Sequence, residues 1–232
     1  LFMDLAAHML DIVDLLVEYQ ARPNHRVAAF VQKDAMSEAA ITAMACREIY
    51  MTPGSAMGAA LPISVSEHGV QALDSTKVGE KFASAMRAKC RTASEAAGHN
   101  PLIVEAMMNH DVELYVGKDA NGTAIVFAPS TGGQEQDTTD WLEQPHILIE
   151  RDRLLTLTPE EGINAGVVRG TASDYDQLAV AMGLQSWADA GDYARKTAKR
   201  RAILIEQNNR QFQLLHDEID SVVNTARRLQ RR

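Results

Sequence analysis

One serine in this chain is placed for nucleophilic chemistry by its neighbours. Ser37 follows the short apolar run Val27 to Val31 and the polar turn Gln32-Lys33-Asp34, and it opens the alanine-rich segment Ser37 to Cys46. That order predicts a buried strand, a turn and a helix. A serine at a helix N-terminus meets unpaired backbone N–H groups and the positive end of the helix dipole, both of which favour developing negative charge. The same position equally suits an ordinary N-cap, whose hydroxyl only accepts from the first turn.

A serine nucleophile needs a base. His68 would serve in a Ser-His-Asp arrangement, but it falls in a polar, irregular stretch. Lys77, Lys81 and Lys89 lie on a helix expected from about Lys77 to Ala97, and a lysine becomes a base only where desolvation lowers its pKa. Asp34 and Glu38 flank Ser37, yet chain neighbours do not face each other by default. Residue types alone leave these options open. Cys46 and Cys90 fall in helix-like segments without metal-ligand spacing, so no metal or other cofactor is expected.

The elements that must position Ser37 are alternating ones. Ala6 to Gln20 carries Met9, Ile12, Val13, Leu16 and Tyr19 at helical spacing, between a strand end at Leu1 to Asp4 and the Pro23-Asn24 break. Strand, helix, strand is the signature of a parallel sheet with a right-handed crossover. Ile49 to Met51 is the next short strand. Gly54 and Gly58 then frame a loop in which Ala56, Ala59 and Ala60 leave little bulk, suited to lining a cleft. Leu61 to Asp74 reads as a mobile loop. Gly98-His99-Asn100-Pro101 closes the lysine-bearing helix, and Leu102 to Met108 forms another. Asp119-Ala120-Asn121-Gly122 marks a β-hairpin, followed by an acidic loop from Ser130 to Glu143 and strands at Ile147 to Ile149 and Leu154 to Leu157. Thr158-Pro159-Glu160-Glu161 starts a capped helix, Val167-Val168 is a last strand, and Asp174 to Met182 a short helix.

With 232 residues, 46% apolar and 23% charged, the chain is long enough to bury a core and has no run that would span a membrane as a helix. A net charge of −8 argues against general nucleic-acid binding. The charge is uneven: Asp192 to Arg232 holds ten Lys/Arg against five Asp/Glu. That tail also carries Ile205, Asn208, Phe212, Leu215, Ile219, Val222, Ala226 and Leu229 at alternating spacings of three and four, a heptad seam on an amphipathic helix. The seam is read either as a homo-oligomer contact, with Asn208 setting register, or as a face packed on the chain's own body.

Two segments, Asp34-Ala35-Met36-Ser37-Glu38-Ala39-Ala40-Ile41 and Cys46 to Ala60, resemble the core of Clp-protease-class serine peptidases, of the branch related to nodulation-efficiency protein D and signal peptide peptidase A. The likeness continues through Lys81, Gly98-His99-Asn100 and Leu157 to Gly166. It implies an α/β fold of the ClpP/crotonase kind, a repeated β-β-α spiral with a mostly parallel sheet. It divides the chain into a peptidase domain over residues 1–184 and a basic helical tail over 185–232. It makes Ser37 the nucleophile, Lys81 the general base, the Glu38 N–H an oxyanion donor, and Gly54, Gly58 and Ala59 the walls of a substrate groove. A peptide or protein substrate is implied, as is a periplasmic or membrane-associated setting, with membrane contact through a segment outside the chain.

Two departures stand out. The family's Ser-Pro-Gly-Gly turn has no counterpart between Asp4 and Ala7, where an omitted loop is expected, and Glu38 replaces a small residue. They leave a non-catalytic scaffold as the alternative to a peptidase. Acyl-CoA chemistry on the related crotonase architecture is disfavoured by the pairing of Ser37 with Lys81.

Overall fold

The computed structural model describes residues 2–66, 69–129, 140–189 and 191–229. The chain forms two compact units, Leu1–Gln185 and Ser186–Arg232. The first is a mixed α/β unit. Helix α1 (Phe2–Gln20) leads to strand β1 (Ala28–Val31), strand β2 (Asp34–Met36), helix α2 (Glu38–Met44), strand β3 (Glu48–Met51) and strand β4 (Ala56–Gly58). The strand end expected at Leu1 to Asp4 is absent. Backbone residues from Phe2 onward are already helical, in α1.

β1 and β3 pair in parallel, Ala28 opposite Glu48, and Gly170–Thr171 adds a third parallel strand on the far side of β3. β2 pairs in parallel with β4, and Thr156–Leu157 joins the other edge of β4 antiparallel. Asp34–Met36, expected as a turn running into the helix, is therefore itself a strand. The segment expected as a mobile loop instead makes a hairpin, β5 (Ile63–Ser66) with β6 (Gly69–Ala72). A three-stranded antiparallel sheet follows, in which β7 (Leu114–Asp119) lies between β8 (Ala124–Phe127) and β9 (Trp141–Ile149). Parallel pairing thus holds around Ser37, while four of the seven strand pairings among the described residues are antiparallel. The expectation of a mostly parallel sheet is corrected by the antiparallel pairings of β5 with β6, of β7 with β8 and β9, and of Thr156–Leu157 with β4. The Thr156–Leu157 and Gly170–Thr171 strands complete the numbering as β10 and β11. Val167 and Val168 are buried but belong to the turn before β11.

Helix α3 (Lys77–Ala97) packs against α1, α2 and helix α4 (Pro101–Met108), and α4 in turn meets β8. One continuous core joins Val13 of α1, Ile41 and Met44 of α2, Ile49 and Met51 of β3, Cys90 of α3 and Ile103 and Met107 of α4. At α3's end, Gly98 takes the left-handed conformation at φ +90°, its N–H reaching the Glu95 carbonyl and the His99 N–H that of Ser94. Helix α5 (Pro159–Asn164) has the capping box that its sequence announces, and Asp174 caps helix α6 (Tyr175–Ala181). The second unit contains helix α7 (Asp192–Leu229), 38 residues long. No helix among the described residues is long and apolar enough to cross a membrane.

Candidate active site

Ser37 sits at the junction of β2 and α2 with φ 57° and ψ −127°. This backbone conformation is strained for any residue with a Cβ and costs about 1–3 kcal/mol. A helix-capping serine uses extended φ/ψ and spends its hydroxyl on the first turn. Ser37 does neither: its hydroxyl makes no capping bond. The contrast is internal to the molecule, because Thr76, Asn100, Thr158 and Asp174 all cap their helices with side-chain oxygens from extended backbone. The sharp strand-to-helix turn presents a half-buried serine hydroxyl that is not committed to the helix.

The turn is held from three sides. The Ser37 N–H donates to the Gly58 carbonyl at 3.0 Å, continuing the β2–β4 ladder in which Met36 lies opposite Gly58. Gly58 has φ +152°, and a Cβ there would stand 2.2 Å from the Leu155 carbonyl oxygen, so only glycine lets β4 and the approach to β10 close. Ala59 has φ 46°, with its N–H donating to that same Leu155 oxygen at 3.0 Å. Gly58 and Ala59 therefore lie directly behind the serine. Gly54 lies in the turn between β3 and β4, at φ +85°, where the Ser55 N–H closes back on Thr52.

The far end of α2 is anchored by two buried polar side chains. Gln20, at the end of α1, donates from Nε2 to the Ala45 carbonyl at 2.8 Å and accepts from the Arg47 N–H at 3.0 Å. His99 donates from Nε2 to the Cys46 carbonyl at 2.7 Å, which fixes the ring's tautomer. Burial, with Arg169 nearby, holds His99 below the usual imidazole range, partly offset by the bond to Cys46. Sequence reasoning read Gly98-His99-Asn100 as a helix terminator. It missed that His99 reaches α2 and that Asn100, besides capping α4, donates to the Val126 carbonyl at 2.7 Å. A histidine between a C-cap glycine and an N-cap asparagine was the available signal. Nothing in the sequence marked Gln20.

At the front of α2, Glu38 is exposed, and its carbonyl accepts from the Thr42 hydroxyl at 2.8 Å. As first-turn residues, Glu38 and Ala39 have N–H groups with no carbonyl one turn earlier in the helix. Lys81 lies in the second turn of α3, a helix that neighbours α2. It is exposed, on a face that also shows Val78 and Phe82, 66% and 53% exposed. No hydrogen bond joins the Lys81 ammonium to the Ser37 hydroxyl. The inward face of α3 is occupied by Ala83, Arg87, Cys90 and Ser94, and the buried Arg87 carries its ion pairs with Asp74, Glu80 and Glu105. Lys89 pairs with Asp14 at 2.6 Å, which removes it from the candidates. Lys77 is the exposed first residue of the helix. His68 lies outside the described residues.

An open groove of about 540 Å³ runs beside β1, walled by Leu16 of α1, Phe30 of β1, Ala35 of β2 and Ala39 and Thr42 of α2. Ala35 and Ala39, each two positions from Ser37, are its lining residues nearest to the serine in the chain; Met36, Ser37 and Glu38 do not line it. β1 and β2 are edge strands of their sheets among the described residues, whereas β4 is bordered by β2 and β10. Strand addition at β4 is thereby closed off, while β2, which runs into Ser37, keeps a free edge, as do β1, β10 and β11. Cys46 and Cys90 are buried, and desolvation pushes their thiols up to about 11 and about 12. Among the described residues, one set of donor atoms clusters at metal-binding range: His110, Asp111 and Asp152, mutually within 4.8 Å. Asp111 and Asp152 are exposed, and the His110 Nδ1 is already 3.0 Å from Asp111.

A family model described as the N-terminal domain of NfeD1b matches residues 9–135. No curated protein matches the sequence. Two solved structures of the 1510-N membrane-bound stomatin-specific protease are similar. A serine-to-alanine mutant aligns with TM-score 0.48 and 20% identity, covering 75% of this chain and 61% of that one. A lysine-to-alanine mutant in complex with a substrate peptide aligns with TM-score 0.46 and 18% identity, covering 73% and 57%. The chain thus spans about three fifths of the protease chains that it resembles.

Proposed function

The chain belongs to the NfeD1b N-terminal domain family, and on that premise we propose that it is a serine endopeptidase acting through Ser37 and Lys81 on extended polypeptides. The observation that carries the reading is Ser37 itself, strained at φ 57° with a hydroxyl that caps nothing. Strain of this kind persists where the surroundings impose it, and it clusters at functional sites. Here the Gly58 carbonyl and the anchors at Gln20 and His99 impose it.

In this mechanism Ser37 Oγ attacks the carbonyl carbon of a peptide bond while Lys81 Nζ takes the hydroxyl proton. The carbonyl oxygen becomes an oxyanion facing the N–H of Glu38 at the front of α2. The C–N bond then breaks, Lys81 returns the proton to the departing amine, and an acyl ester remains on Ser37. Water then attacks the ester carbonyl, giving its proton to Lys81; the bond to Ser37 Oγ breaks, Lys81 returns the proton to Ser37, and the acid is released. The substrate lies in the groove beside β1, pairing its backbone with a free strand edge. Lys81 works as a base only when desolvated. The exposed Val78 and Phe82 beside it form the surface that a bound chain covers, so substrate binding completes the dyad.

The exposure of Lys81, and the lack of a bond between it and Ser37, favour one alternative: a scaffold on the same fold that binds extended segments without cleaving them. Incubation with an unfolded polypeptide and mass spectrometry of the products separates the two. New termini that vanish in Ser37→Ala establish the peptidase; intact substrate retained by the protein establishes the scaffold.

A further inference from the structure

We propose that α7 pairs with α7 of a second copy of this chain, and that the pair is antiparallel. The inference stands apart from the peptidase reading and concerns only the second unit.

Within the second unit, apolar side chains recur along α7 without cover: Leu204, Phe212, Leu215 and Ile219 are 56%, 69%, 56% and 59% exposed, with Ile203 and Leu214 exposed beside them. Exposed side chains of this size at heptad-like spacing are what a partner helix buries. The charges identify that partner. Near the start of the helix, Arg195 and Lys196 are neutralised locally, by Asp189 and Asp192. Mid-helix, Arg210 pairs with Glu206. That leaves Lys199, Arg200 and Arg201 just before the apolar seam, and Asp217 and Glu218 within it between Leu215 and Ile219, without an ion pair inside the second unit. The two blocks are about 27 Å apart along the axis at 1.5 Å per residue.

A parallel, in-register pair would set each block against its own copy, cation on cation and acid on acid. An antiparallel pair sets the basic block of each helix against the acidic block of the other, twice per dimer. With Arg200 opposite the partner's Asp217, the two-fold axis passes between Asn208 and Asn209. Their amides can then bond across the axis, and Phe212 comes beside the partner's Leu204. A single polar layer in an apolar seam is a recognised register device, and like charges brought together are the complementary penalty against the parallel form.

The test uses the full chain, because the separate folding of the second unit is not established. Light scattering gives its mass, and a nitroxide at Lys196→Cys, attached selectively because Cys46 and Cys90 are buried, gives an inter-copy distance by pulsed electron resonance. The expected result is a dimer with a distance near about 40 Å, set by the axial offset of antiparallel copies. A distance of about 15–25 Å means a parallel pair and overturns the proposal. A monomeric mass at all concentrations overturns it as well, since the seam then packs on the chain's own body or on nothing. Charge exchange is the second arm. Lys199→Glu with Arg200→Glu should weaken self-association at least about tenfold, and mixing with Asp217→Lys, Glu218→Lys should restore a mixed dimer. Failure of the mixture to associate while the wild type dimerises overturns the antiparallel register.

Discussion

The Ser37 N–H donates to the Gly58 carbonyl at 3.0 Å, so the strained serine is the last rung of the β2–β4 ladder and the first residue before α2. A single backbone bond couples the geometry of the hydroxyl to a glycine twenty-one positions later in the chain. The consequences can be measured.

If Ser37 stores strain, glycine should relieve it. Ser37→Gly is expected to be more stable than Ser37→Ala by about 1 kcal/mol or more, because glycine adopts positive φ at no steric cost whereas alanine keeps the Cβ. Both variants should lack activity. Urea unfolding of the pair provides the comparison, and equal midpoints with equal slopes would contradict the strain.

Gly58→Ala should be among the most damaging single-methyl additions in the first unit. Its Cβ would lie 2.2 Å from a backbone oxygen, which no side-chain rotation can relieve. A loss of about 3 kcal/mol or more is expected. By contrast, Gly54→Ala meets no atom within 4 Å and should pay only for its positive φ, about 1 kcal/mol. Thermal unfolding of the two variants side by side reads the difference.

His99 is held below its ordinary pKa by burial, so the folded state binds its proton less readily than the unfolded chain does. The sign follows from linkage. Above the unfolded-state value, near 6.5, both states are neutral and the group makes no pH-dependent difference; as pH falls below it, the unfolded state gains a proton first and stability declines. His99→Gln should therefore flatten the decline between about pH 6.5 and the lower folded-state value, at the cost of some stability at neutral pH. Stability followed by denaturant titration from pH 8 down to 5 checks this, and a wild-type curve as flat as that of the variant would contradict it.

Cys46 and Cys90, with thiols pushed up to about 11 and about 12 by burial, should resist alkylation in the native protein at pH 8 and react fully once it is unfolded. Counting modified thiols by mass spectrometry settles the matter.

How much of this was legible in the sequence depended on whether the signal was local. The helix ends at Thr158, Gly98 and Asn100 are local chemistry and fold as their residues dictate. The strand β2 was missed because a three-residue strand, Asp34–Met36, has no periodicity to detect and forms only through pairing with β4. The β5–β6 hairpin was missed because its strands are only four residues each, too short for the alternation of Ile63 and Val65 with Ser64 and Ser66 to stand out. Ser37 could be singled out as a helix-start serine, but its positive φ is imposed by Gly58 and by the anchors on α2. Gln20 and His99 were invisible as anchors because their partners are carbonyls of Ala45 and Cys46, and any residue supplies a carbonyl.

The central claim is that Ser37 is a nucleophile activated by Lys81. A biotinylated fluorophosphonate, incubated with the full chain and mapped by tandem mass spectrometry, tests it most directly. The account predicts phosphonylation of Ser37, abolished in Ser37→Ala and reduced at least about a hundredfold in rate in Lys81→Ala, within the range that general-base catalysis supplies. Labelling of Ser37 at an undiminished rate in Lys81→Ala, or no labelling of the wild-type protein, would contradict it.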